Sequence, residues 1–109
     1  MLTDAMKNEL VQGLLNIFKD NINEIILYGS VARNESTEDS DIDIAIIVNM
    51  DMDEATREEF IKWSAELDLR YDRVFSIVDI KEQNFQKWGK VLPFYQNVKK
   101  EGIVLWKVA

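Results

Sequence analysis

The chain has 109 residues and a formal net charge of −7, with 47% hydrophobic and 30% charged residues. This length fits a single domain spanning residues 1–109, and the apolar content excludes a disordered chain. Cysteine and histidine are both absent, which excludes disulfides, thiolate or imidazole metal sites and histidine-dependent catalysis. The negative charge argues against direct nucleic-acid binding, because lysine and arginine dominate affinity for phosphate backbones.

The N-terminal segment lacks the apolar core of a signal peptide, and no apolar run is long enough to span a bilayer. We therefore expect a cytoplasmic protein with no membrane partner.

The chain begins with a helical pattern. Apolar residues recur at helical spacing over residues 3–19, with Thr3 or Asp4 as the predicted N-cap. A β-rich run over residues 24–28 then predicts a strand that stops at Gly29.

A polar, turn-prone stretch over residues 29–40 separates this strand from the next. Alternating apolar residues over 41–48 predict a second strand with one strongly apolar face. Asp51 or Asp53 can cap a following helix, whose predicted buried side comprises Phe60, Ile61, Ala65, Leu67 and Leu69.

The last third of the chain completes the pattern. A third strand is predicted over residues 74–80, and residues 81–88 have a helical pattern. Pro93 suits the first turn of another helix, Gly102 suits its C-terminal end, and residues 103–106 form a short final strand. This order predicts an α/β (or α+β) fold in which a mixed sheet is flanked by helices.

The residues that could carry out chemistry lie between the end of the first predicted strand and the start of the second. Gly29 follows a strand and lets the backbone approach a ligand closely. Ser30 can cap a short helix through residues 31–33, whose backbone N–H groups would point at an anion. Ten residues separate Ser30 from Asp41, and Asp41 and Asp43 direct both carboxylates to one side of a strand.

Two aligned carboxylates in an apolar strand repel each other unless a cation lies between them. Mg²⁺ fits this position, because it binds a few carboxylates together with water and phosphate oxygens. A metal there would also offset the repulsion between this acidic chain and a triphosphate.

The Gly29-Ser30 pair, the ten-residue spacing and the Asp41-x-Asp43 pair resemble the motif of the minimal nucleotidyltransferases, small domains of the DNA polymerase β-like superfamily. The Ser30-Val31-Ala32-Arg33 and Ser40-Asp41-Ile42-Asp43 segments also match. The resemblance implies that Gly29 and Ser30 hold nucleotide phosphates and that Asp41 and Asp43 ligate Mg²⁺. It further implies transfer of a nucleotidyl group, usually AMP from ATP, and a HEPN-type helical partner in a toxin–antitoxin module.

Two positions depart from the family pattern. The family usually has glycine after the arginine, where this chain has Asn34, a residue that also tolerates left-handed backbone conformations. The family's third carboxylate lies in the third strand, and counting back from the following helix puts Ser76 there. Asp72 shares the parity of Ser76 but lies about 13 Å earlier along an extended strand, and Asp79 has the opposite parity.

Several residues allow two interpretations. Arg33 either clamps a phosphate or pairs with a nearby acid such as Glu35, while Glu35, Glu38 and Asp39 are interpreted as a solvated loop face. Tyr28 is predicted to lie in the core. Five further aromatic residues are interpreted as packing residues, with a partner-binding surface as the alternative for the C-terminal ones: Trp63, Trp88, Phe94, Tyr95 and Trp106.

The sequence therefore predicts a Mg²⁺-dependent nucleotidyltransferase that transfers a nucleotide to an acceptor hydroxyl. The competing prediction is an antitoxin-like interaction module with weak or no catalysis, which Ser76 and the acidic surface favour.

Overall fold

A computed structural model describes residues 2–37 and 39–109. The elements follow the predicted order, with a short 3₁₀ turn, Lys19–Asn21, after the first helix: α1 Asp4–Phe18, β1 Ile22–Tyr28, α2 Gly29–Ala32, β2 Ile42–Val48, α3 Glu54–Tyr71, β3 Phe75–Lys81, α4 Glu82–Trp88, α5 Pro93–Glu101 and β4 Ile103–Lys107. Thr3 caps α1 by accepting from the Met6 backbone N–H, and Asp53 caps α3 in the same way through Thr56.

The four strands form one mixed sheet in the order β3-β2-β1-β4. Strand β1 is antiparallel to both β2 and β4, whereas β2 and β3 are parallel because α3 crosses between them. The predicted mixed sheet flanked by helices is confirmed. Among the residues described, no helix combines the length and apolar character needed to cross a membrane.

Strand β2 has the strongly apolar face that the sequence predicts, and its other face is buried as well. Ile42, Ile44 and Ile46 pack with α1 and α3 in the larger cluster of buried residues. Ala45 and Ile47 pack on the opposite face with Phe85 of α4 and Val98 of α5. Asp43 shares the parity of Ala45, so it belongs to the face that α4 and α5 cover.

The buried side of α3 differs in part from the prediction. Ile61 and Leu69 are 59% and 83% exposed, and Ala65 is exposed as well. Phe60 and Leu67 pack towards the core as predicted, together with Trp63 and Tyr71, which the prediction did not include. This stripe and the exposed stripe of Ile61, Ala65 and Leu69 have similar spacing. The stripe that faces the core holds three aromatic side chains and therefore buries more area.

The aromatic residues divide into packed and exposed groups. Trp63 and Trp106 pack against the larger cluster and Tyr95 against the smaller one. Trp88 and Phe94 are not core residues, since they are 39% and 42% exposed at the turn between α4 and α5, although the Phe94 ring still contacts Tyr95.

Candidate functional site

The turn from β1 into α2 forms one side of the candidate site. Gly29 has φ of +75°, a conformation that glycine adopts without strain. Helix α2 begins at Gly29, and Tyr28 holds the N-cap position without a side-chain hydrogen bond. Ser30 therefore lies inside the helix, so its predicted role as the cap was wrong. Asn34 has φ of 59°, which confirms that it takes the left-handed conformation expected where the family has glycine.

Asp43 lies directly beside Gly29. A Cβ placed on Gly29 would overlap Asp43 Oδ2 and lie 3.1 Å from its Cγ. The missing side chain therefore allows the carboxylate of β2 to contact the backbone at the start of α2. The structure thus brings together the two halves of the motif, which are ten residues apart in the chain.

Burial and a neighbouring negative charge dominate the electrostatics of Asp43. Asp43 is half-buried and Asp41, just before β2, is exposed. Burial raises the pKa of Asp43, and the negative charge of Asp41 raises it further, while Arg33 lowers it. Both carboxylates contribute hard oxygen atoms at the end of the sheet where β2 begins, so the residues present fit a divalent cation.

Tyr28 is half-buried rather than fully in the core. It pairs with Asp43 across β1 and β2, and its ring contacts Phe94 edge-on with centroids 5.6 Å apart. Burial raises the pKa of the Tyr28 hydroxyl, with a further contribution from Asp43. An aromatic pair therefore borders the carboxylates on the side of α5.

Arg33 is engaged by acids in this structure. Its Nε donates to Glu35 at 3.2 Å, and its second donor binds Glu101 of α5 at 2.9 Å. Hydrogen bonds to Glu101 and Glu35 raise the pKa of Arg33. The ion-pair interpretation of Arg33 therefore holds here, and a role as a phosphate clamp would require the guanidinium to leave these partners.

Ser76 is the residue that the sequence analysis assigned to the family's third-carboxylate position. Ser76 is the direct neighbour of Asp43 across the parallel pair β2–β3. Asp79 pairs with Ile46 and is exposed, while Asp72 caps the end of α3. Among residues 2–37 and 39–109, no group of three or more acidic side chains is placed to hold a metal. Glu38 lies outside the described residues, and Glu35 and Asp39 are exposed.

Two residues near the site were missed at the sequence level. Glu101 reaches Arg33 across 68 positions, and Arg73 donates to the Ser40 carbonyl at 2.8 Å across 33 positions. The Arg73 bond holds the segment that leads into Asp41 against the start of β3. No local pattern marks such long-range partners, so only the fold could reveal them.

Gly29→Ala should damage both stability and the site, because it adds a Cβ where Asp43 lies and forces a positive φ on alanine. We expect Tm to fall by roughly 5–15 °C, measured by circular dichroism. Asn34→Gly is the matched control at the other left-handed position of the loop, and its Tm should change by only a few degrees. Equal effects of the two variants would contradict the close approach at Gly29.

The fold and the Gly-Ser and Asp-x-Asp motifs define a nucleotidyltransferase. The family model described as "Polymerase beta, Nucleotidyltransferase" matches residues 12–108. The chain belongs to this polymerase β-like family as a minimal nucleotidyltransferase domain. It is 37% identical over 101 residues to MJ0604 of Methanocaldococcus jannaschii, named as a candidate protein adenylyltransferase, and the match covers 90% of this chain and 92% of that protein.

Two solved structures share the fold. One is a toxin–antitoxin with AMP-PNP, with a TM-score of 0.64 and 23% identity, covering 94% of this chain and 73% of the other. The second is a tri-AMPylated Shewanella oneidensis HEPN toxin in complex with an MNT antitoxin, with a TM-score of 0.61 and 21% identity over 95% and 71% of the chains. At these identities the likeness concerns the fold alone.

Proposed function

We propose that this nucleotidyltransferase binds ATP with Mg²⁺ and transfers AMP to a hydroxyl of a HEPN-type partner protein. The observation that carries the proposal is the contact of Asp43 with the glycine that begins α2. This contact places a half-buried carboxylate beside a backbone turn with no side chain in the way. Support for AMP and for a protein acceptor comes from the names of the adenylyltransferase relative and the AMPylated toxin complex.

In this proposal Asp41 and Asp43 hold the metal, and Gly29 and Ser30 contact the terminal phosphates of ATP. Mg²⁺ would supply positive charge that offsets the phosphates and the charge developing on them. Arg33 would exchange Glu101 for a phosphate oxygen, because a triphosphate presents more negative charge than one carboxylate.

The transfer step is a displacement at the α-phosphorus of ATP. The acceptor hydroxyl oxygen forms a bond to this phosphorus, and the bond from the phosphorus to the oxygen bridging the β-phosphate breaks. Pyrophosphate leaves, and the hydroxyl proton passes to solvent or to a carboxylate. Ser76 cannot take this proton as a base at neutral pH, so activation of the acceptor is the weak point of the site.

A second candidate function is an interaction module with little catalysis. Two observations favour it. Ser76, which is a poor base, is the neighbour of Asp43 on β3. Three apolar residues at the α4–α5 turn are exposed, with Val91 at 62% and Leu92 and Phe94 both at 42%. Exposed apolar side chains of this size are typical of protein interfaces.

Calorimetric titration of ATP with and without Mg²⁺ separates the two candidates. Saturable binding that requires Mg²⁺ supports the nucleotidyltransferase proposal, and transfer is then followed with α-labelled ATP and the partner. Absence of binding at millimolar ATP would overturn the proposed ATP site and favour the interaction module.

A further inference from the structure

Positive charge is concentrated at the C-terminal end of this acidic chain. Residues 81–109 contain six lysines and two glutamates, a net charge of +4, whereas residues 1–80 carry −11. The total of −7 therefore conceals two regions of opposite sign. The prediction against direct nucleic-acid binding rests on the total charge alone, so the distribution of charge is the better guide to partners.

Much of this positive charge lines one cleft, which we call the α4–α5 groove. It has a volume of about 560 Å³ and is lined by Gly89, Lys90, Gln96, Asn97, Lys99 and Lys100. No acidic side chain lines it, although the chain as a whole is acidic. Lys87 lies just before the groove and is exposed, as are the three lysines inside it.

Lys99 of the groove and the neighbouring Lys87 each lie over an aromatic ring. Lys99 Nζ lies 4.8 Å from the centroid of Phe85, and Lys87 Nζ lies 5.0 Å from that of Trp88. Among the described residues, no carboxylate forms an ion pair with Lys87, Lys90, Lys99 or Lys100. Their charge is therefore available to an anionic ligand.

Hydrogen bonds to backbone carbonyls fix the shape of the groove. Gln96 Nε2 donates to the Lys90 carbonyl at 2.6 Å, and the Trp88 carbonyl accepts from the N–H groups of Val91 and Leu92 at 3.0 and 2.9 Å. The turn between α4 and α5 is thus closed onto itself. A ligand would meet a preformed surface, which reduces the entropy lost on binding.

We infer that the α4–α5 groove binds single-stranded nucleic acid through its phosphate backbone. Three features favour nucleic acid over an acidic protein. The lysines act as point charges for phosphates, and the amides of Gln96 and Asn97 can donate to phosphate or base oxygens. Trp88, which is exposed and directly precedes Gly89 of the groove, offers a ring on which a base can stack. Strands with unstacked bases use such rings, whereas an acidic peptide does not need them.

The groove lies on the same helix that contacts the candidate site. Helix α5 presents Lys99 and Lys100 to the groove, while Phe94 and Glu101 of the same helix contact Tyr28 and Arg33 beside the candidate site. Helix α5 therefore borders both the groove and the candidate site. The nucleic-acid site does not depend on nucleotide transfer, and the two proposals can fail separately.

The test is fluorescence anisotropy of a labelled, unstructured 15-nucleotide RNA at several salt concentrations. We expect Kd of about 10⁻⁵ to 10⁻⁴ M at low salt, and a slope of log K against log salt of about −2 to −3 for three or four phosphate contacts. Lys90→Glu/Lys100→Glu should weaken binding at least 10-fold and reduce the slope. Trp88→Ala should weaken binding about 3- to 10-fold and leave the slope unchanged.

Arg57→Glu/Lys62→Glu is the matched control, because it changes the net charge equally on exposed positions of α3, which covers the other face of the sheet. Equal weakening by both double variants, or no saturable binding by the wild type, would overturn the inference. Binding of a labelled oligoglutamate as tightly as the RNA, with no effect of Trp88→Ala on either ligand, would overturn it in favour of an acidic protein. Mg²⁺-dependent ATP binding should be the same in Lys90→Glu/Lys100→Glu as in the wild type.

Discussion

Replacing Asp41 and Asp43 together with asparagine is expected to abolish Mg²⁺-dependent ATP binding. The two carboxylates are the only acidic groups that the motif places at the candidate site, and asparagine keeps their size while removing the charge. We expect the apparent affinity for Mg²⁺-ATP to fall at least 100-fold, about 3 kcal/mol, measured by calorimetry. Asp79→Asn is the matched control, because Asp79 is an exposed carboxylate on the opposite face of the same sheet.

The pH dependence provides a second readout for the same site. Since burial and Asp41 raise the pKa of Asp43 in the folded protein, folding favours its protonated form. The stability associated with this group is present below its unfolded pKa and is lost as pH rises through the folded pKa. Metal-free Asp43→Asn should therefore melt above the wild type at pH 7, and the difference should shrink near pH 4.

Mg²⁺ should reverse this order, because it stabilises the charged carboxylate of the wild type and not the amide. Thermal melting with and without Mg²⁺ at pH 7 measures the effect. If Asp43→Asn and the wild type gain equally from Mg²⁺, or if ATP binding survives in the double variant, Asp41 and Asp43 do not form the metal site.

The sequence was most informative where local pattern and long-range structure agree. The order of helices and strands follows from periodicity and from caps such as Thr3 and Asp53, each of which depends on residues a few positions apart. The motif positions Gly29 and Asp43 could also be recognised in the sequence, because the spacing between them connects the end of β1 to the start of its antiparallel neighbour β2. The counting that led to Ser76 used the start of the next helix, and β3 does lead directly into α4.

The sequence was less informative where two patterns compete or where distant residues meet. Helix α3 carries two apolar stripes of similar spacing, and only packing against α1 decides between them: Trp63 fills the space over Gly13, while Leu69 faces solvent. The partnership of Arg33 with Glu101 depends on how α5 lies against α2. The α4–α5 groove likewise emerges only when lysines from two helices are brought to one cleft.

These two kinds of error have a common physical origin. Periodicity reports which residues share a side of an element, but not which side meets the core or which distant charges become neighbours. Net charge has the same weakness, because it averages over surfaces that the fold separates. Sequence-level arguments about partners of a small acidic domain therefore improve when charge is counted by region, as the contrast between residues 1–80 and 81–109 illustrates.

Introducing a carboxylate at Ser76 should strengthen the site. Ser76 is the direct neighbour of Asp43 on the parallel strand, so Ser76→Asp would add a third acidic group at the position that the resemblance assigns to the family's third carboxylate. We expect Mg²⁺ affinity in the presence of a non-hydrolysable ATP analogue to rise about 10-fold, since another carboxylate ligand is supplied. Transfer to an acceptor should accelerate about 10²-fold, the lower end of what a positioned general base contributes.

Ser76→Asn separates the effect of charge from that of size, and it should leave the Mg²⁺ affinity and the rate of transfer close to those of the wild type. The metal-free Ser76→Asp protein should melt below Ser76→Asn at pH 7, because a third carboxylate joins two that already repel, and Mg²⁺ should close this gap. If Ser76→Asp melts cooperatively but gains neither Mg²⁺ affinity nor rate, the wild-type site does not lack a third ligand. The proton of the acceptor hydroxyl would then have to be accepted by a group outside this sheet, and a side chain of the partner would be the first to examine.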